Sequence, residues 1–342
     1  MVDSGDTQSD NSANKGYASS NEGTVGSAGD SKGGWAGRRE LSSRIWLRLL
    51  RRVYRSLGRK TCGILLYPIS LYFLLFARVV RHASLDFQAR VDVALASESG
   101  AQPRVSCTPN LIRSYFHILE FARCVLDKFA GWQGDIRRSE VVFHGKQDLR
   151  ALIDAGKGAV LLSAHVGNTE ILRAVATELG GVAVNALMYT AHNPAFNEIL
   201  DEAVRDPTLR VIPSENFGPE MLGQLRDCVG RGEIVAMLGD RVMPGSPEKS
   251  IPVPFLGENA MFPAGPFIVA SLLECPVFLV FCFRLKDGSY EANIESFAPR
   301  LELPRARRAE ALKVVMGKFV SRLEVYCKKY PLQWFNFFPF WG

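Results

Sequence analysis

From Val141 onward, short apolar runs alternate with segments of helical period, and this alternation constrains the fold more than any other feature of the chain. The apolar runs are Val141–His144, Ala159–Ala164, Val182–Tyr189, Leu209–Pro213, Ile234–Gly239 and Pro276–Arg284. Each is short enough for a strand and is bounded by turn-forming residues. Between and after them lie the predicted helices Gln147–Ala155, Asn168–Leu179, Pro194–Val204, Pro219–Val229, Pro266–Leu273 and Arg305–Lys329. A strand that is apolar along its whole length must be covered on both faces. The pattern therefore predicts an α/β fold, with a mixed, mostly parallel sheet flanked by helices. One more helix is predicted upstream, opening at Thr108-Pro109 and running to about Ala130. No internal repeat is visible.

The N-terminal third is built differently. Residues 1–36 are dominated by Ser, Gly, Asp and Asn, which cannot bury enough surface to offset their ordering entropy, and they read as a disordered polar tail. The net charge of +6 is concentrated just beyond it. Arg38, Arg39, Arg44, Arg48, Arg51, Arg52, Arg55, Arg59 and Lys60 interleave with Ile45, Trp46, Leu47, Leu49, Leu50, Val53, Tyr54 and Leu57. Arginine and apolar residues at helical spacing suit an anionic membrane surface or a nucleic acid. The uncharged run Cys62–Ala77 that follows decides for the membrane and against nucleic acid. That run is short for a span, which needs roughly 20 residues. Pro68 near its middle is expected to kink it. Arginines flank it on both sides, so it is read as dipping into one leaflet or lying along it. The organisation expected is therefore a tail (1–36), a membrane-attachment segment (37–82) and a catalytic domain (83–342).

Seven cysteines, an odd number without a CxxC pair, argue against a disulfide framework or a zinc site and fit a reducing compartment.

The chemistry points to one turn, Leu161–Leu172, which reads LLSAHVGNTEIL. His165 falls just past a strand, at the carboxyl end where open α/β sheets place function. Gly167 permits a sharp turn, and Asn168 is a natural N-cap that sets Glu170 in the first helical turn. At this spacing Glu170 is expected to fold back and accept the Nδ1 proton of His165, leaving Nε2 as a general base. Backbone N–H groups at Gly167 and Asn168 are candidate oxyanion donors. Ser163 shares a strand face with His165 and is a candidate nucleophile. No GxSxG elbow or HExxH helix is present. The residues alone leave three readings open. One is a transferase whose acceptor supplies the nucleophile, one is a membrane-anchored serine hydrolase or thioesterase using Ser163 and His165, and one is a non-catalytic lipid-binding protein.

The motif His-x4-Asp/Glu after a strand and beside an N-terminal apolar segment resembles the lysophospholipid acyltransferase superfamily. HVGNTE is most similar to its bacterial lipid A biosynthesis acyltransferase branch. Four further stretches resemble that branch in order: NALMYTAHNPAFNEIL (185–200), GEIVAMLGDRV (232–242), FLGENAMFPAGPFIVASLLECPVFLVF (255–281) and QWFNFFPFW (333–341). The resemblance implies an enzyme that moves a fatty acyl chain from acyl carrier protein or coenzyme A to the hydroxyl or amine of a glycolipid. It implies the cytoplasmic face of the bacterial inner membrane, membrane lipids as partners, and neither metal nor resident cofactor. His165 then becomes the base and Glu170 its partner, and Asp240 and Arg241 match an acidic block that contacts the acceptor. Gly167, Asn168, Phe262 and Gly265 complete the expected substrate contacts. The chain departs from the family at two places. Thr190-Ala191-His192 follow Tyr189 where an arginine is usual, and Ala264 replaces the glutamate of an FPEG-like block.

Overall fold

The computed structural model describes residues 44–99, 110–132, 138–168, 178–189, 209–215, 217–242 and 249–341. The helices are α1 (Arg44–Phe76), α2 (Arg78–Glu98), α3 (Leu111–Trp132), α4 (Lys146–Asp154), α5 (Pro219–Gly230), α6 (Gly265–Leu273) and α7 (Arg308–Lys329). The strands are β1 (Val141–His144), β2 (Ala159–Ser163), β3 (Val184–Met188), β4 (Leu209–Pro213), β5 (Ile234–Leu238), β6 (Ser250–Phe255), β7 (Glu258–Pro263), β8 (Val277–Arg284) and β9 (Tyr290–Ala298).

A seven-stranded sheet runs in the order β1-β9-β8-β2-β5-β3-β4. Every neighbouring pair is parallel except β8 and β9. The fold is thus the mixed, mostly parallel α/β sheet expected from the alternation. All five residues of β2 are buried, because β2 lies between β8 and β5 and is covered on both faces. The pleat divides its side chains. Val160 and Leu162 join a large core that also holds Phe267, Phe319 and Leu323, from α6 and α7. Ala159 and Leu161 join a smaller core with Leu149 of α4 and Phe278 of β8.

Three strands were not legible as apolar runs. β9 reads YEANIESFA and buries only alternate residues along its first half, as a strand with one wetter face does. β6 and β7 form a separate two-stranded antiparallel ribbon. Pro252 and Pro254 disguise β6, and a two-stranded ribbon tolerates them because its outer edge needs no N–H donor. Leu256 and Gly257, both at positive φ, make the tight turn between the two strands.

The N-terminal helices differ from expectation in where they bend. Gly58 (φ 72°, ψ 169°) interrupts α1, and Ala77 separates α1 from α2, whereas Pro68 sits inside a helix. Thr61–Phe76 and Arg78–Glu98 meet at 92°, and among the described residues no single helix is long and apolar enough to cross a membrane. Cys62 and Leu66 of α1 are buried with Leu119 and Leu126 of α3. Ile64, Leu65, Ile69, Tyr72, Leu75 and Phe76 are exposed. Tyr67 and Leu71 are exposed too, and at about 100° per residue these apolar side chains share one arc of roughly 200°. Leu111, Ile112 and Phe116 at the start of α3 are exposed as well.

The predicted helix Pro194–Val204, the polar tail 1–36, Glu170 and His192 lie outside the described residues, as does all but the ends of Asn168–Leu179.

Candidate active site

The site is built by register. β2 and β5 pair in parallel, from Ala159 opposite Ile234 to Ser163 opposite Leu238. Two residues beyond the last pair stand His165 and Asp240, and the Gly239 N–H still donates to the Ser163 carbonyl between them (2.8 Å). Because side chains alternate along extended chain, both project from the same face of the sheet's carboxyl edge. The Asp240 carboxylate is fully buried and grips His165 twice. Oδ1 accepts from the ring Nδ1 (2.8 Å), and Oδ2 accepts from the His165 backbone N–H (2.9 Å). The imidazole itself stays partly open, at 28% side-chain exposure.

Electrostatics fix the tautomer. Burial alone would raise the Asp240 carboxyl. The adjacent His165 ring and its hydrogen bonds, with the Arg241 charge, outweigh that and hold it at about 2. An ionised carboxylate only accepts, so the proton of the neutral ring sits on Nδ1, and Nε2 is the basic atom.

The acceptor of the Nδ1 proton is therefore Asp240, a partner that the local spacing did not suggest, while Glu170 lies outside the described residues. The reason is geometric, since a parallel neighbour strand delivers a carboxylate beside a strand-end histidine with no turn needed. A sequence signal for it existed. AVLLSAH (159–165) and IVAMLGD (234–240) are both seven residues long, so aligning their starts sets His165 against Asp240.

Gly167 and Asn168 are held differently from the sequence expectation. Gly167 has φ +60°, and a Cβ there would lie 1.7 Å from the Cys282 carbonyl oxygen, so no other residue fits. Its N–H donates to the Gln333 carbonyl (2.6 Å), and the Asn168 N–H donates to the Cys282 carbonyl (2.9 Å). Both donors that were assigned to an oxyanion are committed to closing the turn onto β8 and the C-terminal segment. The Ser163 hydroxyl is buried and donates to the Val280 carbonyl across the sheet, rather than to His165.

Arg241 does not pair with its chain neighbour Asp240 through a direct hydrogen bond. Its Nε donates to Asn336 Oδ1 (2.6 Å) and its Nη2 to the Phe335 carbonyl (2.8 Å). Asn336 in turn donates to Asp240 Oδ2 (2.9 Å). Phe262 is wholly buried against Phe255 and Phe340, a core position, and Gly265 begins α6. Neither carries a hydrogen bond to the His165–Asp240 pair. Among the described residues no three or more His, Cys, Asp or Glu side chains converge on a site for a metal ion.

The C-terminal segment seals this arrangement, a role its aromatic composition alone did not reveal. Phe335 N–H donates to the His165 carbonyl (2.8 Å), and Val166 pairs with Trp334. The Gln333 side chain brackets the Arg284 backbone, accepting from its N–H and donating to its carbonyl. From the other side, His117 of α3 bonds the Trp334 carbonyl through Nε2 (2.8 Å), and its Nδ1 meets the Ser84 hydroxyl (2.9 Å). Burial lowers the His117 pKa to about 4, so this histidine is neutral and structural.

Residues 106–341 match the family model described as bacterial lipid A biosynthesis acyltransferase. The chain belongs to this family. Among curated proteins, none matches the chain significantly. Membership makes the protein an acyltransferase of lipid biosynthesis, acting on lipid-like substrates. The family is generally associated with membranes, and its match ends at the aromatic segment that closes the histidine turn.

Proposed function

We propose that the protein transfers a fatty acyl chain from an acyl thioester, carried on acyl carrier protein or coenzyme A, to a hydroxyl or amine of a glycolipid or related amphiphile. The observation that carries this reading is the bond from His165 Nδ1 to the buried Asp240 carboxylate, within a chain of the lipid A acyltransferase family. His165 Nε2 removes the acceptor proton as the acceptor oxygen or nitrogen attacks the thioester carbonyl. The imidazolium formed is stabilised by Asp240 and returns its proton to the departing thiol sulfur. The acceptor is thus its own nucleophile, and no side-chain ester forms on the enzyme. Glu170, in the motif His-x4-Glu, is assigned to the same acid–base step, on the residues that follow Asn168. Arg241, reaching across the C-terminal segment, contributes a positive charge toward the acceptor side.

The exposed apolar arc of α1 and the apolar start of α3 support attachment to the cytoplasmic leaflet of the inner membrane. With two helices meeting at 92°, the N-terminal segment is read as entering the leaflet and returning, or lying along it, rather than spanning. Donor thioesters are cytosolic, which sets the catalytic face on the same side.

The experiment is lipid mass spectrometry of a deletion strain, complemented with the wild-type protein or His165→Ala. The wild type restores an acylated lipid missing from the deletion strain, and His165→Ala does not. Full restoration by His165→Ala refutes the base.

A further inference from the structure

We propose that Asn336 is a positioning residue for the His165–Asp240 pair, holding the Asp240 carboxylate toward His165 while keeping the Arg241 guanidinium off it. This rests on the reading of His165 as the base. Asn336 is buried, 96 residues from Asp240 in sequence, and bonds both charged groups at once. Its Nδ2 donates to Asp240 Oδ2 (2.9 Å) and its Oδ1 accepts from Arg241 Nε (2.6 Å).

The chemistry of those partners fixes the amide orientation. A carboxylate only accepts and a guanidinium only donates, so the amide has one satisfactory orientation. A short primary amide does both jobs. An aliphatic side chain does neither, and a carboxylate would bond Arg241 but repel Asp240.

Two consequences follow for catalysis. First, Asp240 Oδ2 is the oxygen that also accepts the His165 backbone N–H, so Asn336 completes the set of donors that fixes the carboxylate plane. The other oxygen is thereby aimed at Nδ1. Second, Arg241 adjoins Asp240 in the chain, and the Asn336 acceptor holds its Nε one amide away from the carboxylate. A direct ion pair would neutralise the charge that stabilises the imidazolium. Asn336 relays the contact and keeps the two charges one amide apart. Among the described residues, the charged and titratable groups facing Asp240 are His165, Arg241 and the buried Cys327 thiol of α7, whose pKa Asp240 helps to raise.

Asn336 is also rigidly carried. Its neighbour Phe335 is tied to the His165 carbonyl and to Arg241, Gln333 is tied to Gly167 and Arg284, and Trp334 is tied to His117. The amide cannot drift without breaking that ladder.

The test uses the full-length protein with Asn336→Leu, nearly the same shape without polar atoms, and Asn336→Ala as a second variant should the leucine not fold. Two readouts are taken. One is the rate at which the complemented deletion strain regains its missing acylated lipid, at matched protein level. The other is the His165 Nδ1 proton resonance in purified protein with ¹⁵N-labelled histidine. With five histidines in the chain, His165→Gln identifies the signal. Loss of a hydrogen bond to a charged group predicts a rate per folded protein lower by about tenfold to a hundredfold, with a shifted Nδ1 proton resonance in protein that still unfolds cooperatively. A wild-type rate overturns the proposal. So does a rate loss that only tracks the loss of folded protein while the resonance stays in place. An active His165→Ala protein instead refutes the underlying function, whatever the Asn336 variants do.

Discussion

Replacing Asp240 by Asn changes a charge and a tautomer while leaving the shape almost intact. The carboxylate sits 2.8 Å from Nδ1 and is fully buried, so little solvent screens it. With charge centres roughly 4 Å apart and an effective dielectric near 20, it stabilises the imidazolium by about 4 kcal/mol. That is worth on the order of a thousandfold in rate. The tautomer adds to the loss. An Asn amide turned with its Nδ2 toward the ring would move the histidine proton to Nε2 and remove the base. We therefore expect turnover to fall by ~10³–10⁴, read as acylated lipid formed per unit protein in the complemented deletion strain. Stability carries an independent signature. The Asp240 carboxyl is held at about 2, below its ordinary 3.8, so its folded pKa is depressed. Its contribution is present above about pH 4 and is lost as pH falls toward about 2, amounting to about 2 kcal/mol by linkage. Urea unfolding across that window should show a steeper acid loss in wild type than in Asp240→Asn. Near-wild-type turnover by a folded Asp240→Asn protein would refute the assignment of Asp240 as the partner of the base.

Ser163→Ala should keep at least a third of wild-type turnover, because its hydroxyl serves only the Val280 carbonyl; loss of all activity in a folded Ser163→Ala protein would revive the hydrolase mechanism. Gly167→Ala should yield little folded protein by circular dichroism, since its Cβ would collide with the Cys282 carbonyl at a backbone φ of +60°. A stable Gly167→Ala protein would show that the turn is held differently. Single cysteines at Ser42 and Glu98 in a cysteine-free protein should both resist a membrane-impermeant maleimide in intact cells and react once the cells are opened. Glu98 is well exposed at the end of α2, whereas Gln88 on the same helix is too buried to report. Labelling of only one site in intact cells would establish a true span.

Much was legible from the sequence because its signals are local. The strands β1 and β4 occupy the predicted residues, and β2, β3, β5 and β8 differ from prediction only at their ends, because short apolar runs such as AVLLS and VFLVFCF, bounded by turn residues, suit a strand buried on both faces. Pro219 and Pro266 mark helix starts through a fixed φ and a missing N–H. His165 stood out because a titratable side chain after a buried strand must face the sheet's carboxyl edge. The strands β6, β7 and β9 were missed where prolines or alternating polar residues broke the apolar run. Gly58 and Ala77 interrupt the N-terminal helices, while Pro68 lies inside α1.

The sequence by itself determined the α/β class, the family and the strand-end histidine proposed as the base, all of which follow from local periodicity and short motifs. The tertiary structure alone decided which groups act on that histidine. Strand register brings Asp240 from 75 residues away, and the fold of the C-terminal segment brings Asn336 to the same carboxylate. Long-range pairing depends on which strands become neighbours, and the composition of either strand by itself does not encode that choice.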